Sequence, residues 1–304
     1  MDRKDEIMNK IVLIGCGNVG MSYAYALINQ KCNIDELVLI DQNIDKANGE
    51  AMDLNHSIPY SPNNIIVKSG DYSECADATI VMIAAGANQN VGETRLDLIQ
   101  KNTEIFKSII DKVMATGFNS IFLIATNPVD AMSYITYKYS HLPASQIIAT
   151  GTSLDTARLR YILSRRFEIL PQNVHAYVLG EHGDSEFVAW SSAMIGSVKI
   201  DSLLSQKEKN NISKEVRESA YEIIKKKGNT SYGIGMCLLR ITNAILNDEN
   251  AIITVSAFDK DVYISSPCII NKNGIKRRLK IELTEEEQNL YNKSKDIIHN
   301  SLGN

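Results

Sequence analysis

Near its start the chain reads Gly15-Cys16-Gly17-Asn18-Val19-Gly20, directly after an aliphatic run and at the opening of a helix-like stretch. Three glycines at this spacing suit dinucleotide binding. Gly15 permits a tight turn, Gly17 lets backbone approach a pyrophosphate, and Gly20 permits close helix packing, while unpaired N–H groups at the helix start face the phosphates. Asn18 and Val19, within the same motif, are expected to contact the cofactor with the glycines. Asp41 ends the next aliphatic run, twenty-one residues past Gly20, where a carboxylate accepts hydrogen bonds from the adenosine ribose hydroxyls. Its charge repels a 2′-phosphate, so the expected cofactor is NAD rather than NADP. Three further regions hold more polar residues than a core needs: GANQNVGETRLDL at 86–98, ATNPVD at 125–130, and SLDTAR at 153–158 with LGEHGDS at 179–185. Each lies at a strand end or a helix start.

The elements that carry these segments alternate. From Lys10 the chain runs KIVLIG, a helical period over 18–30, ELVLID, a helix over 43–56, IIVKSG, ATIVMIAAG, a helix over 93–115, SIFLIAT, a helix over 129–140, and QIIAT. Continuously apolar strands separated by helices indicate a parallel sheet covered on both faces, so the first half is expected to be a doubly wound, Rossmann-type α/β domain over residues 1–149. After Thr150 the rhythm changes to a helix at 153–166, strand-like stretches around 174–200, helices at 211–226 and 231–247, strands near 251–270 and a helix from 284. This predicts an α+β catalytic domain over 150–304. No repeat or Gly/Ser/Pro-rich linker separates the halves, so a site between them is expected.

Composition narrows the function classes. The 304 residues are 44% hydrophobic and 22% charged, with a formal net charge of −4, which describes an ordinary water-soluble protein with no global field for nucleic acid or an anionic membrane. The first ten residues mix both charge signs, and no later run reaches the roughly 18 apolar residues of a membrane span, so a cytoplasmic location is expected. Five scattered cysteines without a C-x-x-C pair argue against disulfides and zinc, and the five dispersed histidines give no metal-site spacing.

Taken together with GCGNVG, the polar segments resemble the lactate/malate dehydrogenase family on its L-lactate branch, in register along essentially the whole chain. The resemblance implies hydride transfer between NAD and a 2-hydroxy acid. His182 is implied as the proton donor to the carbonyl, a task suited to a side chain whose pKa lies near the operating pH, with Asp155 orienting the ring and stabilising its charged form. Arg158, three residues beyond Asp155 and so on the same helix face, is implied to hold the substrate carboxylate bidentately. Arg95 belongs to the loop that closes over substrate in the family and polarises the carbonyl. Asn127, before a cis-proline in the family, is implied to contact substrate and nicotinamide alike. Thr230 is implied to line the substrate pocket and Ile234 to pack on the nicotinamide ring, and Lys46, Tyr72, Gly86, Ala87 and Thr150 match further cofactor contacts.

The same resemblance speaks to substrate, regulation and assembly. Malate dehydrogenases place an Arg for the second carboxylate of oxaloacetate where this chain has Gln89, which points to pyruvate and L-lactate; Asn90 and Val91 depart from the commonest bacterial loop. Arg160 and His175 match the basic positions through which many bacterial L-lactate dehydrogenases bind fructose 1,6-bisphosphate across a subunit interface. Two residues apart on a helix, Arg158 and Arg160 point about 200° from one another, so one can face substrate and the other a neighbour. A cytoplasmic homotetramer that closes fermentative glycolysis is the expectation. The alternatives are malate or a bulkier 2-hydroxy acid as substrate, and a catalytically silent NAD-binding protein.

Overall fold

The computed structural model describes residues 8–87 and 95–303, with Arg95 and Leu96 described at the backbone alone. In chain order the first half comprises β1 (Lys10–Ile14), α1 (Asn18–Asn29), β2 (Glu36–Ile40), α2 (Ile44–Ser57), β3 (Ile66–Ser69), β4 (Ile80–Ile83), α3 (Arg95–Met114), β5 (Ile121–Ile124), α4 (Val129–Ser140) and β6 (Ile147–Ala149). The strands pair in parallel in the order β3-β2-β1-β4-β5-β6. Both faces are covered because side chains alternate along each strand. Ile11 and Leu13 face a core shared with Tyr23 and Leu27 of α1. Val12 and Ile14 face the opposite core with Phe106 and Ile110 of α3. The continuous apolar run KIVLI is therefore required, since neither face meets water.

The second half begins with α5 (Ser153–Arg166), followed by the short strands β7 (Val174–His175), β8 (Val178–Leu179), β9 (Phe187–Val188), β10 (Met194–Ile195) and β11 (Val198–Lys199). Two long helices follow, α6 (Gln206–Lys227) and α7 (Tyr232–Leu246), then β12 (Ala251–Asp259), β13 (Val262–Asn271), β14 (Gly274–Arg278) and α8 (Glu285–Ser301). Leu159 and Leu163 of α5 and Ile212 and Val216 of α6 form this half's own apolar cluster.

Two features differ from the expected outline. The strands near 251–270 do not make a separate sheet: β12 pairs antiparallel with β6 at Ser256 and Ala149, extending the first sheet to nine strands among the described residues. This covers the β6 edge, whose backbone N–H and C=O groups would otherwise lack partners. Helix α6 also starts at Gln206 rather than 211. A capping box between Ser205 and Glu208 nucleates it, and the extra turn is polar throughout, even its buried residue being Lys209, so apolar periodicity carries no trace of it.

The halves are further tied by α7, whose Leu238 and Ile241 join the core on the α1 face and whose Thr242 hydroxyl lies 2.7 Å from the Tyr23 hydroxyl. The carboxyl ends of β1, β4, β5 and β6 lead to Gly15, Gly86, Asn127 and Thr150 along one sheet edge. Ligands of open parallel sheets bind at this edge.

Candidate active site

Helix α1 starts after Gly17 with no side-chain cap, so its first N–H groups are left for a ligand. Glycine is required here by contact as well as conformation. Gly15 has φ +106°, and a Cβ on Gly20 would sit 2.1 Å from the Gly15 carbonyl oxygen. At Gly17 a Cβ would meet nothing, which leaves free space in front of the turn. The Cys16 N–H donates to Asp41 Oδ2 at 2.8 Å and the Asn43 N–H to Asp41 Oδ1 at 2.9 Å, fixing the carboxylate beside the cavity.

That cavity, of about 770 Å³, is lined by Gly15, Gly17, Asp41, Lys46, Tyr72, Gly86 and Ala87, together with residues of α3. A dinucleotide fits these residues: a phosphate cradle at one end and a ribose-binding carboxylate beside it. Lys112 of α3, which the sequence reading did not single out, lies 5.1 Å from the Tyr72 ring centroid and closes the far wall. Gly20→Ala is expected to destabilise the fold by about 1–3 kcal/mol through overpacking against the Gly15 carbonyl. It should also weaken NADH binding; a thermal melt and a fluorescence titration check both effects.

A second cavity, of about 500 Å³, is lined by Leu98, Asn127, Pro128, Asp155, Arg158, His182, Gly183, Asp184, Glu186 and residues of α6. Here four of the expected side chains come together. His182 Nδ1 lies 2.8 Å from Asp155 Oδ2, and Arg158 Nη1 donates to Asp155 Oδ1 at 2.7 Å. Asp155 is buried in the first turn of α5, and Arg158 follows it by three residues. One carboxylate thus orients both the candidate acid and the candidate anchor. The His182 backbone N–H donates to Asp130 Oδ2 of α4, whose Oδ1 accepts from the Ser256 hydroxyl of β12.

The charges follow from this packing. Burial disfavours the protonated His182 ring, but the adjacent Asp155 carboxylate outweighs it, with Glu186 and Asp130 adding to the pull, and its pKa rises to about 9. Burial would raise Asp155, yet His182 and Arg158 hold it below the usual carboxylate range. The ring is therefore charged at neutral pH and poised to give a proton. The facing atoms of Asp155, His182 and Glu186 lie within 4.8 Å of one another, a spacing that could hold a cation. The Arg158 guanidinium on Asp155 puts a positive charge there already.

The other expected residues are placed as follows. Asn127 precedes a cis bond to Pro128, and its carbonyl accepts from Asn102 Nδ2 at 2.9 Å. Asn102 is fully buried and also accepts from the Ala87 N–H at 2.7 Å. It thus links the two cavities, a role that one amide in the middle of α3 does not advertise in sequence. Asn18 lies outside the dinucleotide cavity, in a groove with Met21 and Ser22. Val19 and Ile234 pack on the core between α1 and α7. Thr150 is buried and accepts from the Ser153 hydroxyl, and neither it nor Thr230 lines either cavity. Gln89 lies outside the described residues; Arg95 begins α3, and its side chain lies outside them as well. Arg160 Nε donates to the Ala176 carbonyl, and its guanidinium lies 5.4 Å from the Tyr177 ring centroid, while His175 is exposed on β7.

Residues 9–149 match the lactate/malate dehydrogenase NAD binding domain, and residues 152–304 match the alpha/beta C-terminal domain of the same family. NAD is accordingly the cofactor of the glycine turn. An L-lactate dehydrogenase of Geobacillus sp. (strain WCH70) is 51% identical over 311 residues, covering 98% of this chain and 97% of the relative. One of Bacillus caldotenax is 52% identical over 298 residues, covering 94% of each. Among solved structures, the lactate dehydrogenase MGS-M5 from a Medee basin deep-sea metagenome superposes with a TM-score of 0.95 at 46% identity, covering 98% of this chain and 99% of its own. The minor L-lactate dehydrogenase of Enterococcus mundtii in its ligands-bound form gives 0.95 at 42% identity, covering 98% of each chain. Both halves matched in order, and relatives half identical over nearly the full length, place the two cavities in a known setting: the chain belongs to the lactate/malate dehydrogenase family.

Proposed function

We propose that this protein is an L-lactate dehydrogenase that reduces pyruvate to L-lactate with NADH, residues 1–149 binding the dinucleotide and residues 150–304 the substrate. The observation that carries this reading is Asp155 holding His182 on one oxygen and Arg158 on the other, at one cavity with Asn127. NAD supplies the hydride carrier when bound. Arg158 takes the substrate carboxylate, His182 Nε2 gives its proton to the carbonyl oxygen, and Asp155 stabilises the ring's charge until that transfer. Arg95 polarises the carbonyl.

Gln89 selects against a second carboxylate, because a neutral amide leaves that charge unpaired in a closed site. Gln89→Arg is expected to raise the oxaloacetate-to-pyruvate ratio of kcat/KM by about three decades, at roughly 1.4 kcal/mol per decade of unpaired-charge cost. Parallel NADH-oxidation assays on pyruvate, oxaloacetate and a branched 2-oxo acid test the whole assignment. Turnover mainly of oxaloacetate or the branched acid by the wild type overturns the substrate, and NADH binding without turnover overturns the enzyme.

Fructose 1,6-bisphosphate activates the enzyme through Arg160 and His175. Supporting this, α5 directs Arg158 to the substrate cavity and Arg160 to Ala176 and Tyr177, with His175 exposed nearby. The bisphosphate should lower the apparent KM for pyruvate in the wild type and not in Arg160→Gln; an unchanged KM in both sinks the proposal. The protein acts as a homotetramer. Exposed Tyr25, Tyr232 and Met236 line one groove between α1 and α7, an apolar surface that supports association. Light scattering with and without the bisphosphate reads the assembly. No helix among the described residues is long and apolar enough to cross a membrane; the enzyme is proposed to act in the cytoplasm, closing fermentative glycolysis.

A further inference from the structure

Glu186 is 6% exposed and stands against the Asp155–His182 pair, although no step above uses it. Its backbone is fixed: the N–H donates to the Gly183 carbonyl, and the next two residues form β9, paired with β8. Among the described residues its carboxyl makes no ion pair; Arg158 and His182 each hold Asp155 instead. The titratable and charged groups around it are Asp155 and Arg158 of α5, His182 and Asp184 of its own segment, and Arg217 and Tyr221 of α6 at the cavity wall, with Asp130 of α4 beside His182 and Cys237 of α7 beside Asp155.

We propose that Glu186 is a positioning residue, held as a neutral carboxylic acid whose proton is shared with Asp155, so that Asp155 stays aimed at His182 and Arg158. This deepens the dehydrogenase reading and rests on it. The charge count favours the neutral form. With Asp155 ionised and His182 and Arg158 protonated, a neutral Glu186 leaves the cluster at one positive charge, and the anionic substrate brings it to zero. An ionised Glu186 would set two carboxylates side by side in a buried site, which like charges disfavour, and would repel the substrate carboxylate. Burial first, then the Asp155 charge, push Glu186 up to about 8 against the pull of His182 and Arg158, in agreement with that count.

The sign of the pH effect is fixed by this arrangement. Turnover of pyruvate needs both Glu186 and His182 protonated, so the alkaline limb of kcat/KM in the wild type should reflect loss of two protons. Glu186→Gln keeps a neutral donor and removes one titration. It is expected to retain most activity with an alkaline limb of one proton, whereas Glu186→Leu, lacking any donor, loses roughly tenfold or more in kcat, as removal of an orienting partner does. The infrared spectrum at neutral pH should contain the carbonyl band of a protonated carboxylic acid, missing in Glu186→Gln. That band is read without turnover, so it stands even if pyruvate is not the substrate. Absence of the band in the wild type, a one-proton limb in the wild type, or equal damage in the Gln and Leu variants would each overturn the proposal.

Discussion

Replacing His182 with Gln is expected to lower kcat for pyruvate reduction by about 10²–10⁴-fold, the usual range for a positioned general acid, and to leave the NADH dissociation constant nearly unchanged. The separation follows from where the ring sits. His182 lines the substrate cavity and none of the dinucleotide cavity, and its backbone is fixed independently through Asp130. Glutamine preserves the bulk and a donor toward Asp155 but cannot give up a proton. The wild-type pH profile carries the same assignment. With the ring's pKa near 9 and Glu186 pushed up to about 8, affinity for pyruvate holds at neutral pH and falls above it as the two groups lose their protons. L-lactate oxidation, which needs the neutral ring as acceptor, rises over the same range. Absorbance assays of NADH with stopped-flow fluorescence for binding measure both halves. Wild-type turnover in His182→Gln would remove the acid/base role.

The fold was legible wherever burial leaves a periodic mark. The runs KIVLI and ELVLI read as strands buried on both faces because every side chain in them is buried. The helical stretches 18–30, 43–56 and 129–140 fall within a residue or so of α1, α2 and α4. What periodicity could not carry was the joining of β12 to β6, a long-range edge pairing made at Ser256 and Ala149 with no local signal in either residue. The site divides along the same line. His182, Asp155 and Arg158 stand in polar segments, and an i, i+3 spacing in the sequence puts two of them on one helix face. Asp130, Asn102 and Glu186 act through contacts between elements far apart in sequence. Asp130 reaches His182 and Ser256 across fifty-two and 126 residues, and no spacing rule connects them.

Arg158→Lys is the substitution that most sharply separates geometry from charge. A lysine keeps the positive charge, so a purely electrostatic anchor would survive it. The arginine instead meets two demands at once: Nη1 holds Asp155 Oδ1 at 2.7 Å, and the remaining donors face the cavity in a planar fork that fits a carboxylate. A shorter-reaching ammonium, a compact point charge, cannot serve Asp155 and substrate together. Its side chain is only 11% exposed, so water does not replace what is lost. Losing a hydrogen bond to a charged group costs about 1.5–3 kcal/mol, and kcat/KM for pyruvate should therefore fall by about one to two decades. The loss divides in a telling way. Weaker capture of the carboxylate raises KM, while an Asp155 freed from one partner orients His182 less well and lowers kcat. NADH affinity should hold in both measurements. A Lys variant with wild-type kcat/KM would mean that the substrate carboxylate is held elsewhere, and with it the assignment of this cavity to a 2-oxo acid would fall.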